Sequence, residues 1–209
     1  MTDQLTERLD KLRIEEEKHR ASGNMRALQV CLGQQGFVLH QMGDLEQSLE
    51  MFEKQEGVCR RSDFTSGLVG ALRSRATIML DQNMSAEAME VYREVESICR
   101  NASDIEGLQR VLGDMALLLT QERKYEDAMN LLKEKEQVSR SNGFPNGIAE
   151  AYASQAILLY LEGVIDEAVM LMSEAHELAV RHNHIELLQN IEPILADLIR
   201  QRENLNTNN

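Results

Sequence analysis

The sequence predicts an all-α protein, an α-solenoid of stacked antiparallel helical hairpins with about ten helices. Three observations carry that expectation. Tryptophan is absent and aromatic residues make up only 4% of the 209 residues, while Leu, Met, Ala, Glu and Gln abound; these residues favour helices over strands. Only 2 Pro and 12 Gly interrupt the chain. Above all, the sequence repeats itself every 40 residues without a gap from Leu28 onward, and a fixed period decides an architecture before any single residue can.

Four complete units follow from that period: 28–67, 68–107, 108–147 and 148–187. In the first half of each, Leu28, Leu68, Leu108 and Ile148 are followed one turn later by Leu32, Leu72, Leu112 and Tyr152. Next come a small residue (Gly36, Ala76, Ala116, Ala156) and then a large one (Leu39, Met79, Leu119, Leu159). Spacings of 4, 4 and 3 trace one helical stripe. The second half repeats a small column (Ser48, Ala88, Ala128, Ala168), then Phe52, Tyr92, Leu132, Met172, then Val58, Ile98, Val138, Leu178. That is a second stripe on a second helix, so each unit is a hairpin.

The turns fit the same reading. Gly43 and Gly163 supply the left-handed residue that a helix end prefers. Between units, Ser103 with Glu106 reads as a capping box, Asp63 as an N-cap, and Pro145 as a residue of a first helical turn. Residues 3–27 match the second half of a unit and read as an N-terminal capping helix, with Arg20 in register with Arg60, Arg100 and Arg140. Residues 188–203 begin with Leu188 in register with Leu28 and read as a C-terminal capping helix, with Pro193 near its start or kinking it; 204–209 read as a disordered tail. Small columns facing each other let two backbones approach, and one hairpin alone cannot bury both stripes, so stacking makes 1–209 a single solenoid.

Charge and motifs exclude most chemistry. With 22 basic and 35 acidic residues the net charge is −13, which repels phosphate backbones and anionic lipid, so neither nucleic acid nor membrane is an expected partner. Cys31, Cys59 and Cys99 are odd in number and lack metal-ligand spacing, which points to a reducing, cytoplasmic setting without a disulfide framework. The "NAS" at 101–103 reads as a helix-breaking loop. His182 and His184 point apart on a helix end and read as a polar surface turn; the recurring Glu46, Glu50, Glu53 and Glu56 read as a solvated face. There is no phosphate loop and no nucleophile with a base, so the expected protein has no active site, metal or cofactor.

The small, large, Ala and aromatic-or-large columns resemble the tetratricopeptide repeat, in the 40-residue long-helix form similar to kinesin light chains and the Pins/LGN adaptors. Departures are the missing glycines at 83 and 123, polar Gln55 and Lys135 where a small residue is usual, and no proline after the second helix. The resemblance implies a right-handed superhelix whose concave side is lined by the first helix of each unit. Carried over by column, the implied peptide-binding residues are Gln34, Phe37 and His40; Arg73, Ser74 and Thr77; Arg110, Asp114 and Leu117; and Ser154, Ile157 and Tyr160. A polar row (Gln34, Ser74, Asp114, Ser154) beside an apolar one suits a peptide whose backbone bonds the first and whose side chains enter the second. The expected function is a non-enzymatic protein–protein interaction module. The alternative is a sensor or regulatory array, similar to those of bacterial signalling ATPases, or a homo-oligomerising scaffold working with an enzyme on another chain.

Overall fold

The computed structural model describes residues 2–207. Among them are ten helices: α1 Thr2–Ser22, α2 Met25–Gln41, α3 Leu45–Arg61, α4 Thr65–Asp81, α5 Ser85–Ala102, α6 Ile105–Gln121, α7 Tyr125–Ser141, α8 Pro145–Leu161, α9 Ile165–Arg181 and α10 Ile185–Thr207. No strand occurs among the described residues. From α2 onward every helix begins 20 residues after the one before. The 40-residue unit is therefore two half-units, each a helix of 17 residues (18 in α5) and a short junction.

The junctions share one backbone design. Residues 23, 43, 63, 83, 103, 123, 143, 163 and 183 all have positive φ, between 52° and 81°. The amide after each donates back to a carbonyl five residues earlier, as in Asp44 N to Leu39 O at 3.0 Å and Lys124 N to Leu119 O at 2.9 Å. This is the Schellman turn, in which one left-handed residue ends a helix and satisfies its last carbonyls. The next residue is already the N-cap of the following helix. Asn24, Asp44 and Asp104 fill that place with a side chain that accepts an amide hydrogen bond three residues on, whereas Phe64, Met84, Lys124, Phe144 and Val164 do not.

Two capping assignments made from sequence are corrected by that geometry. Ser103 (φ 54°) and Asp63 (φ 52°) are left-handed helix-ending residues, so the N-caps are their successors, Asp104 and Phe64. The missing glycines change nothing in the backbone, since Asn83 and Arg123 adopt φ of 62° and 61° in their place. Pro145 does occupy the first turn of α8. Pro193 lies inside α10, which begins three residues before Leu188 and includes residues 204–207; 208 and 209 lie outside the described residues.

The chain divides into two compact units, Met1–Gly107 and Leu108–Asn209. In the first, α1 packs on α2, α2 on α3, α3 on α4 and α4 on α5; in the second, α7 packs on α8, α8 on α9 and α9 on α10. Both small columns are fully buried, from Ala76 and Ala88 at 0% exposure to Ala116 at 1%. They meet directly in the first hairpin, where Ser48 Oγ donates to Gly36 O at 2.7 Å. A second buried set, Val38, Ile78, Leu118 and Leu158, each 1% exposed, was not picked out by the repeat columns. It belongs to the other side of each first-type helix. In α2, α4 and α8 that side rests on the second-type helix of the hairpin before, α1, α3 and α7.

Replacing Ala116 or Ala128 by Leu forces apart close-packed helices and is expected to cost about 1–3 kcal/mol, read as a lower urea midpoint; an unchanged midpoint would refute the contact. Conversely, Arg123→Gly removes a left-handed non-glycine residue. It should stabilise by about 0.5–1 kcal/mol in the same assay, the strain relieved being partly offset by glycine's freedom in the unfolded chain.

Candidate functional site

A first-type helix packed between two second-type helices, as α2, α4 and α8 are, has one stripe left for solvent, and the same positions of α6 are also open or half-buried. On α2 that stripe is Val30, Gln34, Phe37 and Gln41, all exposed, and on α4 it is Gly70, Ser74, Thr77 and Asp81. On α6 it is Arg110, Asp114, Leu117 and Gln121; on α8 it is Glu150, Ser154, Ile157 and Leu161. All twelve residues implied by the repeat resemblance are exposed or half-buried. In the first unit these are Gln34, Phe37, His40, Arg73, Ser74 and Thr77. In the second they are Arg110, Asp114, Leu117, Ser154, Ile157 and Tyr160.

Their hydrogen bonding separates them into two groups. His40 Nε2 meets Asp81 Oδ2 at 2.7 Å, bridging the ends of α2 and α4, and the Tyr160 hydroxyl accepts from Gln201 Nε2 at 3.0 Å. Thr77 Oγ1 donates to Arg73 O, and Arg73, Arg110 and Asp114 are engaged with other groups of the chain. Gln34, Ser74 and Ser154 form no side-chain hydrogen bond among the described residues. They keep open donors and acceptors on a face that also exposes Phe37 at 57% and Leu117 at 58%. Phe37 stands edge-on to the buried Phe52, ring centroids 5.2 Å apart.

Behind this face lies a polar ladder that the sequence reading missed. Glu16, Glu56, Glu96 and Glu136 recur every 40 residues, each bound by the arginine four residues on: Arg20, Arg60, Arg100 and Arg140, at 2.7–2.9 Å. Three of them also accept from the next first-type helix: Glu16 from Gln35 at 2.8 Å, Glu56 from Arg75, and Glu136 from Gln155 at 3.1 Å. Glu56 was grouped with a solvated face; its side chain is only 15% exposed and it joins α3 to α4. The register of Arg20 with the later arginines was visible, and the matching glutamates four residues earlier were the unused half of that signal. Burial pushes the Glu16 carboxyl up, but hydrogen bonds from Arg20 and Gln35 and the charges of Arg20 and Lys54 outweigh it and hold it below its ordinary value.

Gln55 and Lys135, the two polar departures from the repeat pattern, are explained by glycines opposite them. A Cβ at Gly33 would lie 2.8 Å from Gln55 Oε1, and one at Gly113 would lie 3.3 Å from Lys135 Nζ. Each long side chain fills the room that its glycine leaves. Gln55 donates to Gln29 at 3.0 Å. The buried Lys135 donates to Glu150 Oε2 at 2.8 Å, and Glu150 Oε1 lies 3.1 Å from His184 Nε2. His184, read from sequence as part of a surface turn, thus ties α8 to the start of α10. Burial raises the Glu150 carboxyl, yet Lys135 and then His184 bring it below its ordinary value.

The thiols pack rather than react. The side chains of Cys31, Cys59 and Cys99 are buried; burial, helped by Glu56, pushes Cys59 up to about 11. Cys59 and Cys99 sulfurs and the Ser139 hydroxyl sit over Gly67, Gly107 and Gly147, where a Cβ would approach within 2.6–2.8 Å. Among the described residues no three His, Cys, Asp or Glu side chains gather to hold a metal, and no helix is long and apolar enough to cross a membrane.

Comparison with known proteins places the fold. No family model matches the chain, and no curated protein matches it by sequence. Solved structures do match: BtubC from P. vanneervenii has a TM-score of 0.74 at 15% identity, covering 97% of this chain and 92% of that one. RapI gives 0.69 at 8% identity, covering 93% and 81%. A Podosopora anserina kinesin light chain with nearly identical TPR-like repeats gives 0.67 at 12% identity, covering 88% and 90%. The chain therefore has the tetratricopeptide-like fold, an α-solenoid of helical hairpins.

The Glu150 cluster sets a pH test. Its folded-state pKa lies below the unfolded value of about 4.5, so its contribution is present above that value and is lost as pH falls through the lower folded one. Glu150→Gln should therefore be less stable than the parent at neutral pH, and the difference should close as pH drops below about 4.5. Urea midpoints measured along that pH series would reveal an ion pair of no consequence as a flat, near-zero difference.

Proposed function

We propose that the chain is a non-enzymatic cytoplasmic interaction module that holds a peptide or protein segment against the exposed stripes of its first-type helices. In the first unit the stripes are those of α2 and α4, and in the second those of α6 and α8. The observation that carries this reading is the open hydrogen bonding of Gln34, Ser74 and Ser154 beside exposed Phe37 and Leu117. Backbone amides and carbonyls of an extended segment satisfy the polar row, and its side chains cover the apolar one.

Charge selects the segment. The chain carries −13 overall, while Arg73 on α4 and Arg110 on α6 place cations at or beside the stripe in each unit. An acidic residue of the partner is therefore favoured locally, through charge-assisted hydrogen bonds, where the molecule as a whole would repel it.

Affinity capture with mass spectrometry supplies the partner, and mutants locate its site. Arg73→Glu and Arg110→Glu should each weaken binding by about 1–3 kcal/mol with little change in melting temperature, whereas Glu90→Lys, exposed on α5, should do little. A partner indifferent to both arginines but lost with Glu90→Lys would move the interaction surface to the second-type helices.

A further inference from the structure

Among the differences between the two units on the proposed face, one changes the packing directly beneath it. In the first unit, the columns at 37 and 52 hold Phe37 and Phe52, whose rings pack edge to face across the hairpin. Gly36 makes room for them: a Cβ there would lie 2.8 Å from the Phe52 ring. In the second unit the same columns hold Leu117 and Leu132, and the glycine column holds Ala116. Two isobutyl groups stand there instead of two rings, and a pocket of about 80 Å³ lies beside them. It is lined by Gly113 and Ala116, by Leu117, Leu132 and Ile157, and by the polar Thr120 and Ser154.

We infer that this pocket is a specificity site for one branched aliphatic side chain, valine, isoleucine or leucine, of an extended partner segment that carries an acidic residue close by. The inference rests on the reading of this face as a protein-binding surface and names what that surface selects. Size sets the class: an apolar cavity of roughly 150 Å³ takes a benzene ring, so the space here admits three or four aliphatic carbons and turns a ring away. Ser154 keeps an open hydroxyl for the partner's backbone beside the buried side chain. Charge complementarity fixes the neighbour, because the exposed Arg110 stands one turn before Gly113 on α6 and favours a carboxylate there on an otherwise acidic protein.

The test uses the full chain and two small probes, isobutyramide and benzamide, followed by NMR. Isobutyramide should shift the signals of Gly113, Leu117, Leu132, Ser154 and Ile157 saturably, and benzamide should not. Filling the pocket should weaken the isobutyramide response by roughly tenfold or more, either with Ser154→Leu at its edge or with the first-unit set Ala116→Gly, Leu117→Phe and Leu132→Phe. Ser154→Leu changes a half-buried surface position, so the test survives if the triple variant does not fold. Absence of a saturable shift, an equal response to benzamide, or a response unchanged in Ser154→Leu would each overturn the pocket. The two readings fail separately. A partner sensitive to Arg73 and Arg110 with no probe response removes the pocket and keeps the face; a probe response while a recovered partner ignores both arginines removes the face as its site.

Discussion

Everything in this chain depends on a left-handed residue placed every 20 positions. A helix can be followed closely by an antiparallel one only if the chain reverses without leaving buried carbonyls unpaired, and a single residue at positive φ does both. The residue after it then starts the next helix, so three residues suffice for each turn. Because 17 helical residues always separate two such turns in the first-type helices, the same side chain positions return to the same face in every hairpin. The small columns that let helices touch, the glutamate ladder and the exposed stripe are all consequences of that constant phase.

The constant phase also explains where polarity is tolerated inside. The first-type helices α2, α4 and α8 contact second-type helices on two sides, so they must be buried on most of their circumference. α8 accordingly has alanine, leucine or isoleucine at most positions. Polar groups enter only as matched sets: Glu56 with Arg60 and Arg75, Gln55 with Gln29 over Gly33, Lys135 with Glu150 and His184 over Gly113. In each set the burial that would disfavour a lone polar group is offset by partners that the repeat brings into reach. Among the described residues Arg75 Nε alone is buried without a partner, although the same guanidinium is bound to Glu56 through Nη1.

Much of this was legible in the sequence. The hairpins and the facing small columns followed from period and spacing, because sizes recur where backbones touch. Gly43 and Gly163 were read in the right place, but two other turns were read one residue out of phase: Ser103 and Asp63 resemble N-caps by residue type, yet the Schellman turn uses that position for the reversal and gives the cap to the next residue. The second buried side of the first-type helices was hidden because it mixes Val38, Ile78, Leu118 and Leu158 with polar Gln35 and Gln155. Glu56 was read as solvated, and Glu16 and Glu136 were passed over, because their partners lie 19 residues away on another helix, beyond any local pattern. The exposed stripe was located only by family resemblance; the structure adds why it is exposed, and that His40 and Tyr160 on it are tied down by Asp81 and Gln201.

The central claim is that the turn geometry comes from the period itself and not from glycine, and amide hydrogen exchange measured residue by residue tests it most directly. At the junctions the amides of Asp44 and Val164 follow a glycine, whereas those of Met84 and Lys124 follow Asn83 and Arg123. All four donate to a carbonyl five residues back, at 2.8–3.0 Å. The account predicts that Met84 and Lys124 are protected to the same degree as Asp44 and Val164. Protection confined to the two glycine junctions, with Met84 and Lys124 exchanging as fast as an open loop, would contradict it.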